Sequence, residues 1–146
     1  MKKILTLLAI FIAGFTMANA SDTYTRDASA LPAAARTLIA NDFSAGISIV
    51  KIDKTMGRVD DYEVVLTDGT EVKFDRNGNW EEVEVAANKR VPEALVPAGI
   101  RNYVSDNQHG TRIVGIEKSR KGYEVTLSNG VEIKFNREGQ FIRYDR

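Results

Sequence analysis

The 146-residue chain contains no cysteine and one histidine, and its 20 basic residues balance 20 acidic ones. The lack of cysteine excludes disulfides and thiol catalysis, and one histidine leaves a zinc site without its usual ligands. The near-neutral charge gives no electrostatic footprint for binding nucleic acid.

The chain begins with the pattern of a secretory signal. Lys2 and Lys3 precede an apolar run of about 12 residues, and Ala18 and Ala20 supply the small-x-small pattern that signal peptidase cleaves. The run is shorter than the roughly 20 residues that span a bilayer. We therefore expect a signal peptide over residues 1–20, cleavage after Ala20, and a periplasmic or secreted protein that is not inserted in the membrane.

Downstream, the chain contains one unit twice. Residues 62–80 read YEVVLTDGTEVKFDRNGNW and residues 123–141 read YEVTLSNGVEIKFNREGQF, with ten of 19 positions identical at an offset of 61. Upstream, residues 49–54 align with 113–118 at an offset of 64. An offset that changes between strands is typical of a duplication, here with a loop three residues longer in the first copy.

Each copy is predicted to begin with a helix. Apolar residues from Leu31 and from Val96 recur at helical spacing, and Pro32 and Pro97 lie in the first turn, where a missing N–H costs nothing. Four strands follow, near 47–54, 61–67, 70–75 and 80–85 in the first copy and near 111–118, 122–128, 131–136 and 140–145 in the second. The connectors between them contain glycine, which indicates tight hairpins.

A three-residue loop at 67–69 would set the register of the central hairpin. It places Tyr62 opposite Phe74 on one face and Glu63 opposite Lys73 on the other. The equivalent pairs in the second copy are Tyr123 with Phe135 and Glu124 with Lys134. We expect the helix to cover the aromatic face and the charged face to be solvated.

The last hairpin leaves two registers open. A two-residue turn at Asn77-Gly78 directs Val83 toward the helix and Trp80 and Glu82 outward, whereas a three-residue turn reverses this.

The predicted fold class is α+β, with tandem α-β4 repeats forming one antiparallel sheet of about eight strands and two helices on one face. The predicted divisions are a signal peptide at 1–20, an N-terminal extension at 21–30, the first repeat at 31–85, a linker at 86–95 and the second repeat at 96–146.

The repeated unit resembles the PepSY-like, β-lactamase-inhibitor-like proteins exported by Gram-negative bacteria. The residues that carry the resemblance are the leader, Leu31-Pro32, the run from Tyr62 to Asp75, Gly78-Asn79-Trp80 and their second copy. In β-lactamase inhibitor proteins of this layout, a concave eight-stranded sheet grips the enzyme and loops enter its active site. Those inhibitors carry disulfides, which this chain lacks, and none of their inhibitory loops can be placed on these residues. The resemblance therefore implies the fold and not the inhibition.

Residues suited to catalysis are few. His109 lies in a predicted loop without the nucleophile and carboxylate of a catalytic triad, so we interpret it as a surface residue. The acids at 60–61 and 81–84 could serve glycoside cleavage or bind calcium, but their strand and turn positions favour solvated charge. A faint calcium-loop pattern at Asp75–Asn79 has its glycine two positions early, which favours a hairpin turn. The sequence predicts no enzyme, no cofactor and no metal.

The aromatic residues after the last turns allow two interpretations. Trp80 and its counterpart Phe141 either cover the end of the sheet as core or stand on the open face, where charges around aromatics are typical of a protein-binding patch. The candidate partner-binding residues are Glu63, Lys73, Trp80, Glu82, Glu124, Lys134, Phe141 and Arg143.

We therefore expect an exported, non-catalytic binding module whose open sheet face binds a protein or peptide, with inhibition as one form of that function. The alternatives are a periplasmic protein that binds a small molecule or calcium, and a hydrolase that uses carboxylates. No nucleic-acid partner is expected, and the protein is expected to be a monomer or a weak dimer.

Overall fold

The computed structural model describes residues 22–145, and the predicted signal peptide lies outside them. Within this range, nine strands form one open antiparallel sheet whose order follows the chain, and two α-helices complete the α+β fold that the sequence predicts. No helix within 22–145 is long and apolar enough to cross a membrane. The chain divides after Glu81 into two compact units, called here the first unit and the second unit. The predicted repeat limits stay a prediction.

The first unit contains β1 (Asp22–Thr25), a short 3-10 helix (Ala28–Ala30), α1 (Ala33–Asp42), β2 (Ile47–Thr55), β3 (Arg58–Leu66) and β4 (Glu71–Asp75). Strand β5 (Trp80–Glu84) contains the division. The second unit continues with a 3-10 helix (Glu93–Leu95), α2 (Ala98–Asn107), β6 (Ile113–Ser119), β7 (Gly122–Leu127), β8 (Glu132–Phe135) and β9 (Phe141–Asp145). Strand β1 was not predicted, since it lies within the expected N-terminal extension.

The core of the first unit follows from two periodicities. Pro32 precedes α1, and the buried residues Ala35 and Ile39 are four positions apart, so one side of the helix is apolar. On β4 the buried side chains are Val72 and Phe74, two positions apart, and Val72 and its Cα partner Val64 on β3 are both fully inaccessible. Helix and sheet thus cover each other's apolar sides.

The second unit repeats this arrangement. Ile100 and Val104 are the buried residues of α2. The ring of Tyr103 meets Phe135 of β8 edge-on, with ring centroids 5.6 Å apart. The helix therefore packs on the aromatic face of the sheet, as expected.

The predicted registers of the central hairpins are confirmed. Tyr62 pairs with Phe74 and Glu63 with Lys73, and the second copy shows the equivalent pairs. The three-residue loop at 67–69 is closed by a 2.8 Å hydrogen bond from the amide of Leu66 to the carbonyl of Thr70.

The last hairpin of the second unit uses a three-residue turn followed by a bulge. The amide of Asn136 donates to the carbonyl of Gln140 at 2.8 Å. Phe141 then lies opposite Phe135 on the helix side, and a register shift within β9 returns Arg143 to the other face. Because a bulge follows the turn, Phe141 and Arg143 lie on opposite faces although they are two residues apart, which neither predicted register allows.

The last hairpin of the first unit closes in the same way, with the amide of Asp75 donating to the carbonyl of Asn79 at 2.8 Å. Val83 is nevertheless fully buried and Val85 nearly so. The two-residue turn was therefore wrong, although the inward direction that it gave to the valines was right.

Upstream, the two copies correspond differently from the sequence alignment. Lys51 lies opposite Glu63, whereas Glu117 lies opposite Glu124. Glu63 and Glu124 correspond at an offset of 61, so their partners Lys51 and Glu117 also correspond. The offset between these partners is 66, whereas the sequence alignment predicted 64. The hairpin of the first copy is therefore longer by five residues instead of three.

Gly122 is required at the start of β7 both by space and by backbone conformation. A Cβ atom there would lie 2.2 Å from the carbonyl oxygen of Phe135, and φ is +141°. Gly130 shares a positive φ of +87° but has open space around it.

We expect Gly122→Ala to lower the free energy of unfolding by about 3 kcal/mol or more, because the backbone of β8 must move. Gly130→Ala is the matched control and should cost about 1 kcal/mol through its positive φ alone. Urea denaturation measures both values, and equal losses would contradict the steric argument.

Candidate functional site: the charged face of the sheet

The charged face of the first unit, meaning the side of its strands opposite the buried apolar side, holds more carboxylates than cations. Among the described residues, strand register places on it the acids Asp22, Asp53, Asp61, Glu63, Glu71 and Asp75 and the cations Lys51, Arg58 and Lys73. The four aspartates form a single row across β1 to β4, since each is the Cα partner of the next. Like charges directly opposite each other destabilise a sheet.

Lys51 supplies a counter-ion to this row. Its Nζ atom lies 3.1 Å from Asp53 and 3.2 Å from Glu63, and its side chain is only 12% exposed. Burial disfavours the ammonium charge, but the carboxylates of Glu63 and Asp53 outweigh that effect and raise the pKa of Lys51. The first unit therefore carries its own internal cation.

A small apolar patch lies beside this ion pair. Ile49 and Val65 are buried on the same face, and Tyr24 of β1 packs against them. Tyr24 is also the Cα partner of Lys51. These side chains exclude water from part of the face, so the expectation of a fully solvated charged face was wrong for the first unit.

Asp61 and Asp53 share a proton. Burial raises the pKa of Asp61 to about 7, and the hydrogen bond with Asp53 acts in the same direction. Burial opposes the ionisation of Asp53 as well, but hydrogen bonds from Asp61 and Glu63 lower its pKa. Lys73 contacts this pair, with its Nζ atom 3.8 Å from Asp61. Its predicted ionic partner, Glu63, instead accepts a hydrogen bond from Lys51.

The charged face of the second unit has a similar composition. Among the described residues, register places on it the acids Glu82, Glu84, Glu117, Glu124, Glu132 and Asp145 and the cations Lys134 and Arg143. Glu82, Glu117 and Glu124 lie directly opposite one another on three adjacent strands. Glu82 is only 7% exposed, which makes this acidic row partly buried.

The second unit differs from the first at the position of the internal cation. Where the first unit has Lys51, the second has Glu117, so an ion pair is replaced by two opposed carboxylates. Burial raises the pKa of Glu124 to about 7, and a hydrogen bond with Asp145 contributes in the same direction. The nearby Lys134 ammonium lies 3.6 Å from Asp145. The acidic row of the second unit is therefore less compensated than that of the first.

Each unit also brings three carboxylates close enough to hold one cation. The groups are Asp53, Asp61 and Glu63 in the first unit and Glu124, Glu132 and Asp145 in the second, with oxygens within 4.8 Å of one another. A cation bound at such a group would replace the shared proton and separate the like charges.

The structure brings six of the predicted partner-binding residues to the charged faces, namely Glu63, Lys73, Glu82, Glu124, Lys134 and Arg143. Trp80 begins β5 and is half-buried. The binding role of all eight candidates stays a prediction.

The placement of Phe141 on the open face was wrong. Its ring stacks on Tyr103 of α2, with centroids 4.7 Å apart, and Tyr144 lies beside it at 5.3 Å. The hydroxyls of Tyr103 and Tyr144 are 3.2 Å apart. Phe141 therefore belongs to an aromatic cluster on the helix side of the sheet, and this cluster stays partly exposed, since Phe141 is 39% and Tyr144 40% exposed.

Sequence reasoning also missed residues on this face. Lys51 and Glu117 could have been placed on this face, because both lie in stretches where charged and apolar residues alternate. The alignment of the two copies at an offset of 64 did not match these two residues with each other, so the difference between them was not noticed. Asp22 and Tyr24 carried almost none, because a four-residue strand without apolar alternation does not stand out from a linker.

The shared proton of the first unit predicts a dependence of stability on pH. The folded pKa of Asp61, about 7, lies above its ordinary value of 3.8, so the folded state keeps a proton that the unfolded state loses as the pH rises. The free energy of unfolding should fall between about pH 4 and pH 7, by about 1 kcal/mol after allowing for solvent screening.

Asp61→Asn, which keeps the neutral form, should flatten this decrease in urea titrations across the same pH range. Asp106→Asn, in an exposed helical position of the second unit, is the control and should leave the slope unchanged. An unaltered slope in Asp61→Asn would refute the shared proton.

Comparisons with known proteins agree with the fold. Residues 60–143 match the model of a family described as "Putative beta-lactamase-inhibitor-like, PepSY-like". A solved structure described as a "putative periplasmic protein of unknown function", from Bacteroides vulgatus, is 40% identical, with a TM-score of 0.80 over 86% of this chain and 99% of its own. A "putative calcium-regulated periplasmic protein" from Bacteroides thetaiotaomicron is 35% identical, with a TM-score of 0.78 over 86% of this chain and 97% of its own. No curated protein matches the chain.

Proposed function

Since the chain belongs to the PepSY-like, β-lactamase-inhibitor-like family, we propose that it is a non-catalytic periplasmic protein whose charged face binds a basic segment of a partner protein. The periplasmic location is supported by the descriptions of its relatives and by the secretory pattern of residues 1–20. The non-catalytic role is supported by the inhibitor-like family description.

The observation that carries the proposal is the acidic row of the second unit, which has Glu117 at the register position where the first unit has Lys51. Glu82, Glu117 and Glu124 are opposed on adjacent strands, and the pKa of Glu124 is raised to about 7 by burial. Such an arrangement destabilises the free protein and is relieved when a cation arrives. Perturbed carboxyls of this kind are concentrated at functional sites.

The first unit provides a second argument, for a partner group that is cationic. At the register position of Glu117 it has Lys51, whose ammonium contacts both Glu63 and Asp53. The duplicated strands therefore already bind one ammonium group with carboxylates of the same kind. A lysine or arginine of the partner would occupy the equivalent place above the second unit and would favour fast, salt-dependent association.

Glu117→Lys is the sharpest test, because Lys51 shows that the fold accepts a lysine at this register. The variant should keep or raise the melting temperature and should lose the partner, because its own ammonium neutralises the row. Immobilised wild type and variant would be exposed to periplasmic extract, and mass spectrometry would compare the recovered proteins. Those lost with the variant should carry basic surface segments.

Glu138→Lys is the matched control, since it makes the same charge change at an exposed turn of the second unit. It should recover the same proteins as the wild type. If Glu117→Lys recovers an unchanged set, the acidic row is not the binding surface.

Calcium binding is the second candidate function. It is favoured by the group of Glu124, Glu132 and Asp145, whose oxygens lie within 4.8 Å of one another, and by the relative described as calcium-regulated. In the first unit, Lys51 lies close to two members of the group formed by Asp53, Asp61 and Glu63, at 3.1 and 3.2 Å, whereas in the second unit Lys134 is farther from Asp145, at 3.6 Å. The second unit is therefore the better place for an ion.

Calorimetric titration with calcium chloride tests this candidate. Saturable binding is expected with a dissociation constant on the order of 0.1–1 mM, the range of extracellular calcium modules. Glu124→Gln should abolish it, whereas Asp61→Asn in the first unit should leave it intact. The absence of saturable heat, or equal loss in both variants, would reject a calcium site in the second unit.

A further inference from the structure

A cleft on the second unit is separate from the charged face. It has a volume of about 460 Å³ and is lined by the segment before α2, by α2 itself and by the loop into β6. This volume lies in the range of small-molecule sites. The charged side chains on its wall are Arg90, Arg101, Arg112 and Glu93.

Arg112 is held in place by backbone carbonyls. Its Nη2 atom donates to the carbonyl of Ala87 at 2.7 Å, and its Nε atom to that of Lys89 at 3.4 Å. A carbonyl orients a guanidinium group but does not cancel its charge, and a guanidinium has five N–H donors. Arg112 therefore keeps a full positive charge and further donors for a ligand.

Arg101 is oriented in a similar way. Its Nε atom donates to the carbonyl of Val96 at 3.1 Å, and its Nη1 atom lies 3.5 Å from the carboxylate of Glu93. Glu93 is mostly exposed, so this ion pair is weakly held. Among the described residues that line the cleft, Glu93 is the one carboxylate, and Arg90 adds a third guanidinium, so positive charge remains in excess.

Neutral donors complete the wall. The hydroxyl of Ser105 and the amide of Asn102 line the same cleft, together with the exposed His109. The hydroxyl of Thr111 also lines it, but its proton is donated to the carbonyl of Gln108 at 2.7 Å. Pre-oriented guanidinium groups beside hydroxyls are the chemistry that recognises carboxylate and phosphate oxygens.

We propose that this cleft binds a small oxyanion with at least two negative charges, of the carboxylate or phosphate class. The size of the cleft favours a compact molecule, and the number of guanidinium groups favours multiple charge. The site is independent of the basic partner proposed for the charged face, because the two carry opposite charge. The protein would thus bind ligands of opposite sign at two places.

Isothermal titration of the mature protein with citrate and with inorganic pyrophosphate, at low ionic strength, tests the proposal. At least one of these anions should bind saturably. The anion that binds more tightly shows whether the ligand is of the carboxylate or the phosphate class. Arg112→Gln should weaken binding about tenfold, because charge-assisted hydrogen bonds are lost. Arg90→Gln, at a residue with no hydrogen bond or ion pair among the described residues, should weaken it about threefold without changing the fold.

Arg137→Gln is the control, since it removes the same charge from an exposed turn of the second unit outside the cleft. It should change the affinity less than about twofold. Amide shifts on titration should cluster at Ser105, Thr111 and Arg112. If neither anion binds at about 10 mM, or if Arg137→Gln weakens binding as much as Arg90→Gln, the cleft is not an oxyanion site.

Discussion

The two-residue alternation of the strands is the constraint on which the rest of this structure depends. One side of each strand must be apolar because a helix covers it, so most charged side chains of the strands fall on the other side. Among the described residues, strand register places six acids and three cations on this face in the first unit, and six acids and two cations in the second. A chain with balanced charge overall thereby acquires a strongly acidic surface.

The energetics of that surface differ between the two units. In the first, Lys51 lies among the carboxylates with contacts near 3 Å, and a small apolar patch shields it. In the second, Glu117 occupies the same register, burial and a hydrogen bond with Asp145 raise the pKa of Glu124 to about 7, and Lys134 lies 3.6 Å from Asp145. Breaking a partly buried ion pair is costly, whereas a proton held by a carboxyl group can be exchanged for another cation. The first unit thus supplies its own cation at this register, and the second does not.

The sequence predicted the features that depend on local chemistry. Glycine-containing turns fixed the central hairpins, so Tyr62 opposite Phe74 and Glu63 opposite Lys73 could be obtained without coordinates. Features that depend on non-local pairing were missed. The bulge in β9 that returns Arg143 to the charged face has no local signature, and β1 is too short and too polar to be recognised. The cleft of guanidinium groups was also missed, because its three arginines come from separate segments that only the fold brings together.

The exchange of Lys51 for Glu117 has an evolutionary consequence. After a gene duplication, one copy can keep the stabilising role while the other is released from it and diverges. The first unit has an ion pair at this register, and the second has two opposed carboxylates in the same structural position. A single register position that differs by lysine and glutamate would be enough to separate a stabilising ion pair from an acidic surface.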